Sequence, residues 1–194
     1  MRLNAKSKLS DVALVVGDAL RRAGISAVLT GGACASLYTG GEYQSVDVDF
    51  VLSGQPTSDL IEGALASLGF SRKVDRYIHP RVRFFVEFPP GALGIGEDFR
   101  IRPVVRRRGS ASTLALSATD SCRDRLAAFY HWNDRQSLSV AAAIALRHRV
   151  DLRKIRLWSR NEGHLERYEA FVAAVKDARQ ARRDRGEGRL GTKR

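Results

Sequence analysis

The sequence predicts an α/β fold, in which a short mixed sheet with helices is followed by an α-helical C-terminal part. Three observations lead to this prediction. Residues 46–52 alternate between apolar and acidic side chains, as the residues of a half-buried strand do. Further short apolar runs, bounded by glycine and proline, follow up to residue 118. From Asp120 onward, apolar residues recur at helical spacing.

Turn signals and periodicity define the elements of the first part. The predicted elements are a helix over 10–23, a strand over 25–30, a helix over 33–38, the acidic strand over 46–52, a helix over 59–68, strands over 70–78 and 82–88, an edge strand over 99–105 and a short strand over 113–116. Gly24 and Gly69 follow the two longer helices and should end them. The strands around His79-Pro80 should be antiparallel, because their connection is too short for a crossover helix. Pro103 places its strand at an edge of the sheet, since proline cannot donate a ladder hydrogen bond.

The second part reads as a series of helices. Thr119 or Asp120 should cap the first, and the next three are predicted over 138–149, 151–158 and 165–176. Both tryptophans, Trp132 and Trp158, are expected in the core. The charged, glycine-bearing tail should be disordered. We therefore divide the chain into a core (residues 1–118), a helical region (119–181) and a basic tail (182–194).

A pair of acids beside a glycine turn is the strongest functional signal. Asp47 and Asp49 share one face of an apolar strand, where they repel each other and are costly to desolvate, so a cation between them is expected. Carboxylate oxygens suit Mg²⁺, with Mn²⁺ as the alternative. Gly31 and Gly32 allow the backbone to approach a ligand closely, and the N–H groups that open the next helix can hold an anion. Phosphate-binding groups beside metal-binding acids are the parts of a phosphoryl or nucleotidyl transfer site.

These residues carry a family resemblance. Gly31-Gly32 followed by Asp47-Val48-Asp49 resembles the signature of the nucleotidyltransferase superfamily with the polymerase-beta-like core. That signature is an apolar strand ending in Gly-Gly or Gly-Ser, a short helix and Asp-x-Asp between apolar residues. The resemblance covers roughly residues 9–172 and is closest to small bacterial members of uncharacterised or toxin-like type. It implies a short mixed sheet of the nucleotidyltransferase type.

The resemblance also implies a set of site residues. A third carboxylate on a later strand should join Asp47 and Asp49 in catalysis and metal binding. Glu87 fits that place, with Asp75 as its competitor and an ion pair with Arg83 as the alternative role. The residues expected to bind the nucleotide are Thr30, Gly31, Gly32, Ser36, Ser45 and Arg125. For Arg125 the alternative is a network of charges between helices.

The sequence departs from the family pattern at one place. Many relatives carry an arginine two residues before a serine or threonine in the loop that leads to the acidic strand. This chain has Tyr43 before Ser45, so the phosphate contact of that arginine is missing.

Clustered positive charge suggests a polyanionic partner. The formal net charge is +12, and two segments, 100–109 and 176–194, carry much of it. Arg149, Arg153, Arg156 and Arg160 are spaced so that one continuous helix would align them as a stripe that tracks a nucleic-acid backbone. The alternative interpretation is that all these basic residues form an ordinary solvent-exposed surface that binds no partner.

The expected function is Mg²⁺-dependent transfer of a nucleoside monophosphate from a nucleoside triphosphate to RNA or to a protein. A toxin–antitoxin or defence context, with a cognate partner protein, follows from the resemblance alone. The alternatives are an inactive nucleotidyltransferase-fold protein that binds nucleic acid and an antitoxin-like interaction protein.

Two distant cysteines and the absence of a long apolar run predict a cytoplasmic protein without a membrane segment. His131 has no second histidine at ligand spacing, which argues against zinc.

Overall fold

The computed structural model describes residues 3–41, 43 and 45–185. In this part of the chain seven helices and one seven-stranded mixed sheet form, which confirms the predicted α/β class. The first part contains α1 (Leu9–Arg22), β1 (Ala27–Leu29), α2 (Gly31–Tyr38), β2 (Asp47–Leu52), α3 (Ser58–Ala66), β3 (Ser71–Lys73), β4 (Arg76–His79), β5 (Val82–Glu87), β6 (Val104–Arg108) and β7 (Ala111–Ala115). The helices α4 (Ala118–Trp132), α5 (Arg135–Arg147), α6 (Leu152–Asn161) and α7 (Leu165–Asp184) follow.

The sheet has the strand order β3-β4-β5-β2-β1-β7-β6. β2 lies between β1, which is antiparallel to it, and β5, which is parallel to it. β4 and β5 are antiparallel, as their short connection predicts. The acidic strand therefore lies in the middle of the sheet, with a neighbouring strand on each side.

The alternation in β2 places its apolar residues in the core. Val48 and Phe50 are fully buried, whereas Asp47 and Asp49 are half-buried. α1 packs closely over the buried face at Gly17, where an added Cβ would stand 2.0 Å from Thr113 Oγ1 and 3.3 Å from the Phe50 ring. Val46 was expected to point inward with Val48, but it precedes β2 and is 60% exposed.

Three predicted strands had the wrong boundaries. The strand predicted over 70–78 is a hairpin of β3 and β4, and Val74 at its turn has a φ of +59°. The strands predicted over 99–105 and 113–116 are the hairpin of β6 and β7, joined through Gly109 at a φ of +59°. β6 begins directly after Pro103, because proline has no N–H for the ladder.

The helical part begins and ends differently from the prediction. Ser117, and not Thr119 or Asp120, caps α4, and its hydroxyl accepts a 3.0 Å hydrogen bond from Asp120 N. α5 begins at Arg135, three residues before the expected start, because Asp134 caps it by accepting from Gln136 N and Ser137 N.

The ends of the helical part also require corrections. α7 continues to Asp184, so residues 182–184 are helical and do not belong to a disordered tail, while residues 186–194 lie outside the described residues. Trp158 is buried as predicted, but Trp132 is 77% exposed, because it is the last residue of α4 and the chain turns away at Asn133. No helix among the described residues is long and apolar enough to cross a membrane.

Candidate functional site

The parallel pairing of β2 with β5 brings three acids together. Asp47 lies opposite Phe85, and Asp49 lies opposite Glu87. One carboxylate oxygen from each of Asp47, Asp49 and Glu87 falls within 4.8 Å of the other two, and all three side chains are half-buried. This group, which we call the acidic triad, contains both predicted metal-binding aspartates and the predicted third acid. It offers three hard oxygen ligands, the type that Mg²⁺ and Mn²⁺ prefer.

Electrostatic repulsion is concentrated at Asp49. Burial raises the pKa of Asp49 to about 7, and the charges of Asp47, Glu87 and Asp124 add to the rise, while Arg125 lowers it. Without a cation, Asp49 is therefore partly protonated near neutral pH. A divalent cation at the triad would offset both the burial and the repulsion.

The glycine turn lies directly against the triad. Gly31 has a φ of +62°, which favours glycine, and a Cβ at this position would stand only 2.3 Å from Asp49 Oδ2. The Thr30 N–H donates a 3.0 Å hydrogen bond to Asp49 O, and Thr30 is the N-cap of α2. A backbone hydrogen bond thus joins the turn to the acidic strand. Because Gly31 has no side chain, the turn can also lie directly against the Asp49 carboxylate. The start of α2, where N–H groups lack intrahelical acceptors, adjoins the acids.

Two serines hold the loop that leads into β2. Ser45 Oγ donates to Asp47 Oδ1, and a Cβ on Gly32 would stand 2.8 Å from the same Ser45 Oγ. Ser36 is buried, with its Oγ 3.0 Å from Gly32 O and 2.8 Å from Tyr43 O. The hydroxyl of Ser36 can therefore donate to either of two backbone carbonyls, and its role in nucleotide binding stays a prediction. Ser45 adjoins the triad and orients one of its acids.

Arg125 brings a positive charge to the site from α4, which packs against α2. Its Nε and Nη2 lie 3.0 and 2.7 Å from Asp124 Oδ2, and both side chains are largely buried. Burial acts to lower the pKa of Arg125, but Asp124 and, more weakly, Tyr43 and Asp49 raise it above its ordinary value. Arg125 thus pairs with the adjacent residue of its own helix, which is not the network between helices given as the alternative, and it lies near enough to Asp49 for the two charges to interact. Asp124 received no site role from the sequence, although its charge acts on Asp49.

Glu87 pairs with a different arginine from the one expected. Its Oε1 lies 3.5 Å from Arg76 Nε, and Arg76 also contacts Asp75 Oδ1 at 3.2 Å. The guanidinium of Arg76 stacks over the Phe85 ring, 4.6 Å from its centroid. Asp75, the competitor for the third acid, is exposed and lies outside the triad. Arg76 therefore links Glu87 to Asp75 in the turn between β3 and β4, a contact that the sequence did not predict.

A buried ion network centred on α4 was not predicted from the sequence. Arg123 is completely buried, with Nη1 2.9 Å from Asp120 Oδ1 and Nη2 2.6 Å from Asp98 Oδ2. Lys154 Nζ lies 2.8 Å from the same Asp120 Oδ1. Trp158 packs on the Arg123 guanidinium at 5.1 Å. The spacing of Asp120 and Arg123 on one helix face was the available signal, but both Asp98 and Lys154 come from distant segments.

The two basic clusters lie on different elements. Arg106, Arg107 and Arg108 belong to β6, where Arg106 stacks over the Tyr38 ring and Arg108 pairs with Asp11. Arg153, Arg156 and Arg160 are exposed on α6. Arg149 lies in the connection before α6, so one continuous helix does not carry all four arginines, and their role in nucleic-acid binding stays a prediction.

Comparisons of the chain with protein-family models, with curated proteins and with solved structures found no match.

Proposed function

We propose that the protein is a nucleotidyltransferase that moves a nucleoside monophosphate from a nucleoside triphosphate to a hydroxyl group of an RNA or protein acceptor. The contact between the Gly31 turn and Asp49 is the observation that carries this proposal. A phosphate bound by the backbone at this turn would lie beside three carboxylates, which is the combination that phosphoryl transfer requires. Neither the turn nor the triad alone would point to this chemistry.

Asp47, Asp49 and Glu87 would hold Mg²⁺, with Mn²⁺ as the alternative. When bound, such a cation screens the charge of the triphosphate and of the leaving pyrophosphate and makes an acceptor hydroxyl more acidic. The raised pKa of Asp49, which reflects burial and the neighbouring carboxylates, fits residues that are arranged for a cation.

The chain's own groups would bind and orient the triphosphate. The N–H groups of the first turn of α2 are free of helical acceptors and can donate to phosphate oxygens, as can the Thr30 hydroxyl at the N-cap. Arg125 supplies positive charge from the side of α4. Ser45 fixes the orientation of Asp47. In the reaction a bond forms between the acceptor oxygen and the α-phosphorus, the bond from the α-phosphorus to the pyrophosphate oxygen breaks, and the acceptor proton passes to water.

The test is label transfer. The purified protein is incubated with Mg²⁺, total RNA or cell lysate, and each of the four NTPs labelled at the α-phosphate. We expect one nucleotide to label RNA or a protein, and expect EDTA or Asp49→Asn to abolish the label. If no nucleotide binds in a Mg²⁺-dependent manner, the proposal is wrong.

A second candidate is a protein of this fold that binds nucleotide or nucleic acid without turnover. Tyr43 favours it, because it occupies the place at which many nucleotidyltransferases carry a phosphate-binding arginine. Mg²⁺-dependent nucleotide binding without any label transfer, over all four nucleotides and both acceptor mixtures, would support this candidate over the first.

A further inference from the structure

A basic cavity of about 660 Å³ lies between the segment that precedes α1, the end of α2 and β6. Six basic side chains from three parts of the chain line it: Lys6, Lys8, Arg83, Arg106, Arg107 and Arg108. No acidic side chain is among the described residues that form its wall. We call this feature the basic cavity.

Much of the charge in the basic cavity is available to a ligand. Arg108 pairs with Asp11, and Arg106 stacks on Tyr38. Lys6, Lys8 and Arg107 are exposed, and no carboxylate in the described part of the chain lies within ion-pairing distance of any of them. The cavity thus concentrates uncompensated positive charge, which attracts polyanions.

The basic cavity shares a wall with the candidate active site. Ser36 and Tyr43 line the cavity, and the Ser36 hydroxyl lies within hydrogen-bond distance of the carbonyls of both Gly32 and Tyr43. A Cβ on Gly32 would stand 3.2 Å from Tyr43 Cε1. The same short loop therefore borders the cavity on one side and the glycine turn on the other. An RNA bound in the cavity would therefore lie next to the loop that also borders the glycine turn.

We propose that the basic cavity binds the sugar–phosphate backbone of a single-stranded RNA and presents its end to the acidic triad. Basic side chains that come from three segments of the chain suit a row of consecutive phosphates better than one isolated anion. Tyr43, an aromatic side chain in the cavity wall, offers a face on which a base can stack. That this RNA is the acceptor rests on the proposed function, whereas the binding itself does not.

The experiment measures binding of a fluorescently labelled single-stranded RNA of about twelve nucleotides by anisotropy, in EDTA, at several salt concentrations between about 50 and 200 mM. The double variant Lys6→Gln/Arg107→Gln removes one positive charge from the segment before α1 and one from β6. Arg153→Gln/Arg156→Gln removes the same charge from α6, the other surface at which the sequence predicts nucleic-acid binding, and is the control that distinguishes the two surfaces. For single strands each phosphate contact contributes about 0.7 to the slope of log affinity against log salt. We expect the cavity variant to lower this slope by about 1.4 and the control to leave it unchanged.

Three results would overturn the proposal: no RNA binding by the wild-type protein, a loss of slope in the α6 variant alone, or equally effective competition by polyglutamate at matched charge. Photocrosslinking of 4-thiouridine RNA to the wild-type protein gives a second readout that needs no variant. Crosslinked peptides from residues 3–10, 43 or 104–108 support the proposal, and crosslinks confined to α6 contradict it.

The outcomes separate this inference from the proposed function. Because the binding assay contains EDTA, it does not depend on the acidic triad. Asp49→Asn should bind the RNA as the wild type does, while losing Mg²⁺-dependent nucleotide binding. RNA binding without nucleotide binding would refute the proposed function and leave the basic cavity as an RNA site, and the reverse result would refute only the cavity.

Discussion

Asp49 on β2 lies opposite Glu87 on β5 in parallel register, so two carboxylates from separate strands face the same point in the middle of the sheet. With Asp47 they bring one oxygen each within 4.8 Å. Three carboxylates at this separation repel one another, and burial adds to the cost of their charges. The arrangement is therefore unfavourable for a metal-free protein and favourable for one that holds a cation.

Asp49→Asn should separate stability from function. The amide keeps the size of the side chain and removes the charge, so we expect a native fold and complete loss of Mg²⁺-dependent nucleotide binding. In EDTA at pH 8 the variant should be more stable than the wild type by roughly 1–2 kcal/mol, an estimate reduced for solvent screening at this half-buried site. Urea unfolding followed by circular dichroism measures this. A less stable variant with intact nucleotide binding would contradict the assignment.

The pH dependence of stability has a defined sign at Asp49. Because its pKa in the folded protein is raised from 3.8 to about 7, its protonation favours the folded state. This contribution is fully present below pH 3.8 and is lost as the pH rises through 7. In EDTA, the stability of the wild type relative to Asp49→Asn should therefore fall between about pH 4 and pH 7. A saturating divalent cation, at 100 times its Kd, should add about 2.7 kcal/mol to the wild type and little to the variant.

Glu87→Gln should lose nucleotide transfer while it keeps weak nucleotide binding, since Asp47 and Asp49 remain. Asp75→Asn is the matched control, because Asp75 contacts the same Arg76 but is exposed and lies outside the triad. Transfer rates and nucleotide affinities of the two variants are compared at saturating Mg²⁺. If Asp75→Asn abolishes transfer and Glu87→Gln does not, the third acid has been misassigned.

The acidic strand was predictable because its alternation is local. Val48 and Phe50 are buried and Asp47 and Asp49 share the opposite face, as a period of two requires. The proximity of Glu87 was not derivable from local pattern, since the pairing of β2 with β5 joins segments far apart in sequence. The family resemblance supplied that expectation.

Three other features of the structure were not predicted from the sequence, and each has a physical reason. Val74 adopts a positive φ, which a β-branched residue rarely does, so nothing in the sequence indicated a turn between β3 and β4. Trp132 continues the helical pattern of α4 but lies at its last residue, where none of the described elements covers it. Arg123 resembles its charged neighbours in sequence, and only the packing of distant Asp98 and Lys154 makes it a buried ion-pair centre.

Gly31→Ala should impair the site more than an equivalent change elsewhere. Gly31 and Gly54 both have a positive φ, of +62° and +80°, so alanine costs about 1–2 kcal/mol of backbone strain at either position. A Cβ at Gly54 meets nothing within 4 Å, whereas at Gly31 it would stand 2.3 Å from Asp49 Oδ2. We expect Gly31→Ala to be the less stable variant and the only one of the two to lose nucleotide binding. Equal effects of both changes on nucleotide binding would show that the turn does not support the acid.

Arg123→Met should be the most destabilising of these substitutions, although Arg123 is not proposed to contact a substrate. Methionine fills a similar volume but leaves Asp98 and Asp120 without their central cation, at a cost of about 3–5 kcal/mol. Burial acts to raise the pKa of Asp120, but hydrogen bonds from Lys154, Ser117 and Arg123 hold it below its ordinary value.

A lowered pKa stabilises the protein above the unfolded-state value near 3.9, and this stabilisation is lost as the pH falls through the lower folded-state value. The difference in free energy of unfolding between wild type and Arg123→Met should therefore be large at pH 7 and shrink below about pH 4, where the carboxyl groups become protonated. Urea titrations at pH 7, 5 and 3.5 measure it. Arg135→Met, an exposed change on α5, is the control and should cost less than about 0.5 kcal/mol at every pH. A cost for Arg123→Met that does not change with pH would mean that Arg123 acts through packing against Trp158 and not through its charge.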